Sequence, residues 1–434
     1  MIYPWQATGV DWLRTKTRAV LADEQGLGKT ITAILAARAA GCRRILVIAP
    51  TVVAYNWENE LRRWAPEWTV GVCASSSQMR TVQFDCLNVL IVTHTGTING
   101  RIERELQRRG FDLIVVDEAH CFRNESAQRT RALYGTGGLI HRAKRVWLLT
   151  ATPMPNHAGE LWPMLRGLWP DRCPFNFEQF RDRFCEKRWD YHRNDWKIIG
   201  NKKDTLPELK AMLNGVVLRR LKKDHLKDLP AIRWETVVLP SDAVSKEFRD
   251  LDKQFRGLTV GEELEELRHR VEFAAWRRLC GLAKIEPATE LLAAELEGTT
   301  HKTVVFAHHL DVLAGIEAGL SGGTVKITGD VAAQDRTRLV ALFQSDPNIR
   351  VALCQITAAG VGITMTAAEE VVFVEQSFVP GDNAQAADRV HRIGQQKAVR
   401  ARFLALAGTV DQLVAEALAR KTAAINEVLS EKSD

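Results

Sequence analysis

Short apolar runs rich in Val and Ile alternate with amphipathic, helix-like stretches in two separate parts of the chain. Such alternation is typical of βαβ units, in which parallel strands form a sheet that helices cover on both faces. The first series predicts strands at residues 19–21, 44–48, 89–92, 113–116 and 146–149. The second series predicts strands at residues 303–306, 324–327, 350–353, 370–374 and 401–406. We therefore expect an α/β protein in which two domains each contain a parallel sheet.

The length of the chain supports two domains, because 434 residues are too many for one ordinary domain and 46% of them are hydrophobic. We expect the first domain at residues 1–235, with a basic and aromatic insertion near residues 175–233. The second domain is expected at residues 236–434 and begins with a helical segment. The formal charge of only +6 excludes a histone-like tail and is compatible with a polyanionic partner.

The sequence carries no sign of a membrane span or a signal peptide. No uninterrupted apolar stretch approaches the roughly 18 residues that a span requires, and the start of the chain lacks a basic region followed by an apolar one. We expect no membrane association and a soluble, intracellular protein, which is cytoplasmic if its source is a bacterium or a phage. Eight scattered cysteines without a Cys-x-x-Cys pair favour reduced thiols over a disulfide frame or a zinc ribbon.

The sharpest motif is residues 23–30, Asp-Glu-Gln-Gly-Leu-Gly-Lys-Thr, which lies between the first predicted strand and a helix-like stretch. Glycines in such a loop let backbone amides surround phosphate groups at the start of a helix. Lys29 is expected to reach the β and γ phosphates, and the Thr30 hydroxyl is expected to bind Mg²⁺. The motif therefore predicts a nucleotide site, with a plain glycine-rich turn as the alternative.

A second motif, Asp117-Glu118-Ala119-His120, follows the apolar run at residues 113–116. Ligands of open α/β sheets bind at the carboxyl ends of the strands. Asp117 is expected to hold Mg²⁺, and Glu118 to orient and deprotonate an attacking water. Alone, these acids would be read as solvated loop residues. Together with Lys29 they predict hydrolysis of a nucleotide.

Two further motifs suggest coupling and charge stabilisation. The hydroxyls of Thr150 and Thr152 are expected to hydrogen-bond near His120, although a turn before a proline is the plainer interpretation. Arg389 and Arg392 are three residues apart, which predicts that both lie on one face of a helix. Two guanidinium groups there would stabilise charge that develops on a γ-phosphate, whereas an exposed basic helix is the alternative.

In combination, these segments resemble the second helicase superfamily, and specifically its SWI/SNF-type family of DNA-dependent ATPase motors. The resemblance extends from Tyr3 to about Leu429 and includes residues 48–61, 304–309 and 356–363 besides the motifs above. Residues 306–309 and 356–359 are most similar to the annealing-helicase, fork-remodelling branch.

The resemblance implies two RecA-like lobes with parallel sheets and helical insertions, which bind ATP with Mg²⁺ and double-stranded or forked DNA. It implies a monomer that a protein partner of unknown identity directs to its target. The residues it assigns to ATP are Gln6, Asp23, Glu24, Gln25, Gly26, Leu27, Gly28, Lys29 and Thr30. The residues it places near the DNA backbone are Thr51, Trp57, Thr93, Thr328 and Gly360.

Basic residues are concentrated in one part of the chain, independently of this resemblance. Residues 181–233 contain 15 Lys plus Arg and 8 Asp plus Glu, which favours a phosphate-contacting surface over a solvated helical face. Within this stretch, Arg219, Arg220, Lys222 and Lys223 are expected to touch the DNA backbone.

The leading hypothesis is an ATP-hydrolysing motor that translocates on duplex or forked DNA and remodels or anneals it. The first alternative is a strand-separating DEAH-type helicase that acts on RNA or DNA. The second is a non-hydrolysing DNA-binding adaptor, against which the intact Lys29, Asp117, Glu118 and Arg392 argue.

Overall fold

The computed structural model describes residues 2–51, 53–73, 86–151, 153–154, 157–190, 195–226, 228–241, 244–256, 271–297, 299–356, 363–378 and 380–428. The chain forms two compact units, Met1–His225 (unit 1) and Leu226–Asp434 (unit 2). The sequence predicts a boundary between residues 235 and 236, ten residues after the division between the two compact units. The strand that crosses the predicted boundary, Ile232–Leu239, pairs along its whole length with Val399–Leu406 of unit 2. Unit 2 therefore begins with a strand and not with the expected helical segment.

Unit 1 is built on nine strands among the described residues. They are β1 (Arg18–Leu21), β2 (Ile45–Ala49), β3 (Val70–Cys73), β4 (Val89–Thr93), β5 (Phe111–Val116), β6 (Ala143–Leu149), β7 (Cys185–Asp190), β8 (Asp195–Asn201) and β9 (Val217–Leu218). Seven of them form a parallel sheet in the order β3-β4-β2-β5-β6-β1-β9, and β7 and β8 pair separately as an antiparallel hairpin. Every residue of β2 and β4 is buried, as expected for parallel strands that are covered on both faces.

Helices connect these strands and cover the sheet. In the described part of unit 1 they are α1 (Pro4–Arg14), α2 (Lys29–Ala39), α3 (Ala54–Trp64), α4 (Gly100–Gln107), α5 (Gln128–Tyr134), α6 (Trp162–Leu168), α7 (Phe177–Phe184), α8 (Leu206–Leu213) and α9 (Lys222–His225). Apolar residues spaced four apart fix which face is buried, as Ile102 and Leu106 do in α4.

Unit 2 contains a second parallel sheet. Its described strands are β10 (Ile232–Leu239), β11 (Thr303–Ala307), β12 (Thr324–Ile327), β13 (Val351–Gln355), β14 (Glu370–Phe373) and β15 (Val399–Leu406). They lie in the order β10-β15-β14-β11-β13-β12, with all pairs parallel. The described helices are α10 (Lys246–Phe255), α11 (Val271–Ala283), α12 (Ile285–Glu297), α13 (Leu310–Gly319), α14 (Ala333–Ser345), α15 (Pro380–Ala387) and α16 (Val410–Val428). The ring of Trp234 stacks on those of Phe373 and Phe403, which pack against each other at a tilt.

The predicted fold class is confirmed, since each unit is an α/β structure with a parallel sheet and all the predicted strands are present. The expected insertion near residues 175–233 needs correction. Its first part forms α7, the hairpin and α8, but β9 joins the main sheet beside β1, and the last residues begin β10 of unit 2. None of the helices that the structure describes is both long and apolar enough to cross a membrane.

Candidate nucleotide site and sheet edges

Three adjacent strands of unit 1 bring the nucleotide motifs together. β6 pairs with β5 on one side and with β1 on the other, all in parallel. Their carboxyl ends therefore lie at the same edge of the sheet. Asp117 follows β5, Thr150 follows β6, and the loop that begins after Ala22 follows β1. Sheet topology thus places at one edge residues that are far apart in the sequence.

The loop at residues 23–28 has the backbone that its glycines predict. Gly26 and Gly28 have φ angles of +83° and +85°, in the left-handed region that favours glycine. The positive φ of Gly28 would strain any other residue, and a Cβ atom there would lie 2.2 Å from Nε2 of Gln6 and displace that side-chain amide. Gly28 precedes the first residue of α2, Lys29, so the amides at the helix N-terminus continue the loop.

Lys29 holds the loop from inside. Its Nζ donates to the carbonyl oxygen of Asp23 at 2.8 Å and to that of Glu24 at 3.4 Å. Burial lowers the pKa of Lys29, whereas the carboxylates of Glu118 and Asp117 oppose that effect. The ammonium of Lys29 therefore lies in the electrostatic field of both acids.

Asp117 is buried and held in place by hydrogen bonds. The indole Nε1 of Trp57 donates to Oδ2 of Asp117 at 2.8 Å, and the amide of Glu118 donates to Oδ1 at 3.0 Å. Nε2 of His94 lies 2.8 Å from the carbonyl oxygen of Asp117. Burial, and next the neighbouring Glu118, raise the pKa of Asp117. A bound cation would relieve this repulsion between the two carboxylates, so the residues present fit a magnesium site.

Glu118 has a φ angle of +48°, the only positive φ among the described residues other than glycines. A non-glycine residue pays on the order of 1–3 kcal/mol for such a backbone, and such strain clusters at active sites. The conformation turns the chain sharply after β5 and places the carboxylate beside His120, whose Nδ1 lies 3.2 Å from Oε2 of Glu118.

The expected contact between His120 and the loop after β6 is present. Nδ1 of His120 lies 3.3 Å from Oγ1 of Thr150, a buried hydroxyl. Burial alone would lower the pKa of His120, but contacts with the thiol of Cys121 and the carboxylate of Glu118 raise it well above its ordinary value. Thr152, the other expected coupling residue, lies outside the described residues.

The amino-terminal helix closes one side of the phosphate loop. Gln6 on α1 donates from Nε2 to the carbonyl oxygen of Leu27 at 3.2 Å, and Nε1 of Trp5 donates to the same oxygen at 3.2 Å. Oε1 of Gln6 accepts from the amide of Tyr3 at 3.0 Å. Gln6 therefore touches the loop itself, as a residue expected at a nucleotide site should.

Asp23 differs from its expected role. Its side chain is fully buried, and both carboxylate oxygens accept hydrogen bonds from the guanidinium of Arg220. The side chain therefore shapes the loop and does not face a nucleotide. The neighbouring Glu24 is engaged similarly, because its Oε2 accepts from the amide of Lys222 at 2.7 Å.

The segment Arg219–Lys222, just after β9, clamps the phosphate loop and corrects the expected DNA surface. Arg220 also donates to the carbonyl oxygen of Trp5 and is only 8% exposed. Arg219 donates to the carbonyl oxygens of Ala22 at 3.1 Å and Ala151 at 2.9 Å. The side chain of Lys222 is buried as well. Of the four basic residues expected to touch DNA, Arg220 and Lys222 are thus buried, and the half-buried Arg219 is held by backbone carbonyl oxygens. We call this segment the clamp.

Three of the residues expected near the DNA backbone have buried side chains. Trp57 is 1% exposed and bound to Asp117, so its side chain supports the acidic site and cannot reach a phosphate from this position. Thr93 and Thr328 are 1% and 3% exposed, and Thr328 donates to Oδ1 of Asp330. Thr51 is exposed. Gly360 lies outside the described residues.

Arg389 and Arg392 do not lie on a helix, contrary to the prediction. Helix α15 ends at Ala387, and the chain continues in tight turns in which the amide of Arg389 bonds to the carbonyl of Ala386. The side-chain amide of Gln395 ties these turns to the carbonyl oxygens of Val390, Thr366 and Ala368. The two arginines are therefore presented by a braced loop of unit 2.

Sequence reasoning missed a hydrogen-bonded network at the carboxyl edge of the sheet of unit 2. Glu375, after β14, accepts from the amides of His308 and His309 at 2.9 and 2.8 Å and from Nδ1 of His309 at 2.6 Å. Gln355 at the end of β13 donates to the carbonyl oxygen of His308 and accepts from the amide of Gly329. The network joins the loops after four strands. The sequence signals were polar residues at predicted strand ends, among them His308 and His309 in the segment 304–309 that carries the family resemblance.

Comparison with known proteins identifies two domains. The model of the SNF2-related domain matches residues 5–258, and the helicase conserved C-terminal domain matches residues 283–394. A bovine (Bos taurus) protein named DNA annealing helicase and endonuclease ZRANB3 is 32% identical over 454 residues, which cover 100% of this chain and 41% of that protein.

A second relative, from Xenopus tropicalis, is named SWI/SNF-related matrix-associated actin-dependent regulator of chromatin subfamily A-like protein 1. It is 32% identical over 433 residues, which cover 94% of this chain and 43% of the relative. The chain thus spans about two fifths of the length of these curated relatives. The structure of the Sulfolobus solfataricus SWI2/SNF2 ATPase core in complex with dsDNA aligns with a TM-score of 0.48 and 22% identity, covering 99% of this chain and 95% of that one.

The expected resemblance to SWI/SNF-type proteins, and to a protein named as an annealing helicase, is confirmed. The family model covers more than half of the chain, and it spans both the phosphate loop and the Asp117–His120 motif. The chain therefore belongs to the SNF2-related family, and a helicase C-terminal domain follows its SNF2-related domain.

Proposed function

We propose that the chain is a DNA-dependent ATPase that translocates on duplex or forked DNA and remodels or anneals it. The observation that carries this proposal is the edge of the unit 1 sheet. There the phosphate loop, Lys29 and the acid pair Asp117 and Glu118 follow strands that share the neighbour β6. This set of groups supports phosphoryl transfer to water.

The residues of unit 1 divide the work of hydrolysis. The loop amides and Lys29 bind phosphate oxygens, in exchange for the carbonyl bonds that Lys29 now makes. Glu118 accepts a proton from water, and its contact with His120 orients the carboxylate. Mg²⁺, when bound, supplies charge neutralisation at the phosphates, and Thr30 and Asp117 are the residues that would hold it.

The contact of His120 with Thr150 connects the acid pair to the next loop of the sheet. Movement of that loop would shift His120 and with it the carboxylate of Glu118. We propose that this is how DNA binding stimulates hydrolysis. The bonds of Arg219 to Ala22 and Ala151 join the same loop to the phosphate loop, which supports coupled movement.

DNA as the partner is supported by the family and by the printed names of the relatives, one of which is a DNA annealing helicase. Arg389 and Arg392 of unit 2 are proposed to stabilise charge on the transferred phosphate when both units engage the nucleotide. We propose that the motor acts inside the cell and as a monomer, and that a protein partner directs it to its target.

The decisive experiment measures steady-state ATP hydrolysis by the full chain with no nucleic acid, duplex DNA, forked DNA, single-stranded DNA and RNA. The proposal predicts the highest turnover with duplex or forked DNA. The best stimulation by RNA would favour the strand-separating DEAH-type helicase instead. DNA binding without any hydrolysis would favour the adaptor. A displacement assay with a triplex-forming strand then tests translocation directly.

A further inference from the structure

The β7–β8 hairpin is the one antiparallel element in the described part of unit 1, and it pairs with no strand of the main sheet. Its two tryptophans, Trp189 and Trp196, lie directly opposite each other across the hairpin. Their rings meet edge to face, with centroids 5.3 Å apart and planes at 79°. Directly opposed residues project from the same face of a hairpin, so the two indoles form one platform.

This face is buried at the base of the hairpin and exposed farther along it. Ile198, two residues from Trp196, packs against the core of unit 1 beside Gly159. Trp196, by contrast, is 47% exposed, more than Tyr3 at 42% or Tyr55 at 37%. The exposed indole of Trp196, held in place by the indole of Trp189, is therefore a preformed surface on which another flat ring can stack.

One cation, Lys187, lies against this platform. Nζ of Lys187 lies 5.4 Å from the centre of the Trp196 ring, over the face of the indole, and it also pairs with the carboxylate of Asp182. The next residue, Arg188, is exposed and lies on the opposite face of the hairpin, since successive side chains of a strand alternate. Aromatic rings with adjacent Lys and Arg side chains are the combination that binds unpaired nucleotides, because bases stack and phosphates pair with the cations. A hydrophobic protein partner would use the rings but not the charges.

The base of the hairpin is fixed to the segment that follows the Thr150 loop. Oδ1 of Asn201 accepts from the amide of Ala158 at 2.6 Å. In the same turn, Glu160 pairs with Arg123 at 3.2 Å, just after the Asp117–His120 motif. The hairpin is therefore bonded to the parts of unit 1 that carry the candidate catalytic groups.

We infer that the hairpin is a DNA-contacting element in which Trp196, braced by Trp189 and flanked by Lys187, stacks on an unpaired base of branched DNA. The inference rests on the proposed function, because it gives the proposed DNA motor an element that distinguishes a fork from a continuous duplex. In this interpretation the hairpin binds the single-stranded part of a DNA junction, and other surfaces bind the base-paired part.

The test compares wild type with Trp196→Ala and Trp196→Phe. The DNA probes are a fork that carries 2-aminopurine at its first unpaired base and a continuous duplex of the same sequence. Anisotropy gives affinity, and 2-aminopurine fluorescence reports stacking. Trp196→Ala should weaken fork binding by about 5- to 150-fold, since base–aromatic stacking is worth roughly 1–3 kcal/mol, and should abolish the fluorescence change. Duplex affinity should stay within about twofold, and Trp196→Phe should retain most fork affinity.

Trp64→Ala is the matched control, because the guanidinium carbon of Arg63 lies 5.5 Å from the ring of Trp64 at another place on unit 1. It should leave both affinities unchanged. Unchanged fork affinity and fluorescence in Trp196→Ala would overturn the inference, and so would an equal loss on fork and duplex. If the wild type binds the fork but hydrolyses no ATP on any DNA, the proposed motor function fails, while the stacking result still decides the role of the hairpin.

Discussion

Replacing Arg220 by Met should destabilise unit 1 strongly, although sequence alone suggested a surface cation. The substitution keeps the apolar stem but removes a guanidinium that bonds to both oxygens of Asp23 and to the carbonyl of Trp5. Arg220 is 8% exposed and Asp23 is 0% exposed, so the carboxylate would be left buried without its counter-ion. Removal of one partner of such a pair costs about 3–5 kcal/mol.

Urea unfolding followed by tryptophan fluorescence measures this loss. Two of the twelve tryptophans, Trp234 and Trp276, lie beyond His225, so the signal reports mainly on unit 1. Arg62→Met is the control, because the side chain of Arg62 is 71% exposed, and it should change the unfolding free energy by less than about 0.5 kcal/mol.

The double variant Asp23→Asn/Arg220→Met should recover more than half of the lost stability, because no unpaired charge then remains buried. A loss below about 1 kcal/mol in Arg220→Met would refute the reasoning. So would a double variant that is no more stable than the single one. Arg220→Met should leave the salt dependence of DNA affinity unchanged, whereas loss of a residue that contacts the DNA backbone would reduce that dependence.

Further predictions concern the chemistry and unit 2. Glu118→Gln should bind ATP with wild-type affinity but lose nearly all turnover, whereas Lys29→Ala should weaken binding itself; fluorescent-nucleotide titration and phosphate release separate the two effects. Arg392→Ala should keep ATP and DNA affinity within about tenfold yet lose most DNA-stimulated turnover, and full turnover would return that loop to a plain basic surface. The pKa of His120 is raised to about 10, so its contribution to the folding stability of unit 1 is full below pH 6.5 and is lost as pH rises through 10. The difference in unfolding free energy between wild type and His120→Gln should therefore shrink as pH rises, and a difference that grows with pH would contradict the assignment. Lys284→Met should destabilise unit 2 by about 3–5 kcal/mol in thermal unfolding, because Nζ of the buried Lys284 lies 2.7 Å from Oδ2 of Asp411.

The sheet strands were predictable because a parallel strand covered on both faces must be apolar along its length, as β2 and β4 are. The strands that escaped prediction lack that signal. β3 contains Gly71 and is mostly half-buried, and β10 alternates half-buried with exposed residues because it lies at the edge of its sheet. Local composition therefore predicted the centre of each sheet better than its edges.

The nucleotide motifs were predictable for a different reason, since a glycine-rich loop and an acid pair at strand ends leave few chemical alternatives. The roles of Arg220 and Trp57 were not predictable. The neighbouring sequence of a charged or aromatic residue does not tell whether its side chain faces solvent or a buried acid. The partner of Arg220, Asp23, is 197 residues away in the sequence, and the partner of Trp57, Asp117, is 60 residues away. The prediction that Arg389 and Arg392 lie on a helix was wrong, because the two residues keep a helical spacing in the sequence although α15 ends at Ala387.

The clamp has a consequence for the order in which the protein becomes functional during synthesis. Asp23 emerges from the ribosome long before Arg220, which follows it by 197 residues. Until the clamp has been translated, the acid at the start of the phosphate loop has no counter-ion, and the carbonyl oxygens of Ala22 and Ala151 lack their common donor. A nascent chain that already contains the phosphate loop, both acids and the Thr150 loop therefore still lacks the side chains that brace that loop. Synthesis supplies these partners only at the last residues of unit 1, so we expect the phosphate loop to reach its final conformation after β9 and the clamp have been made.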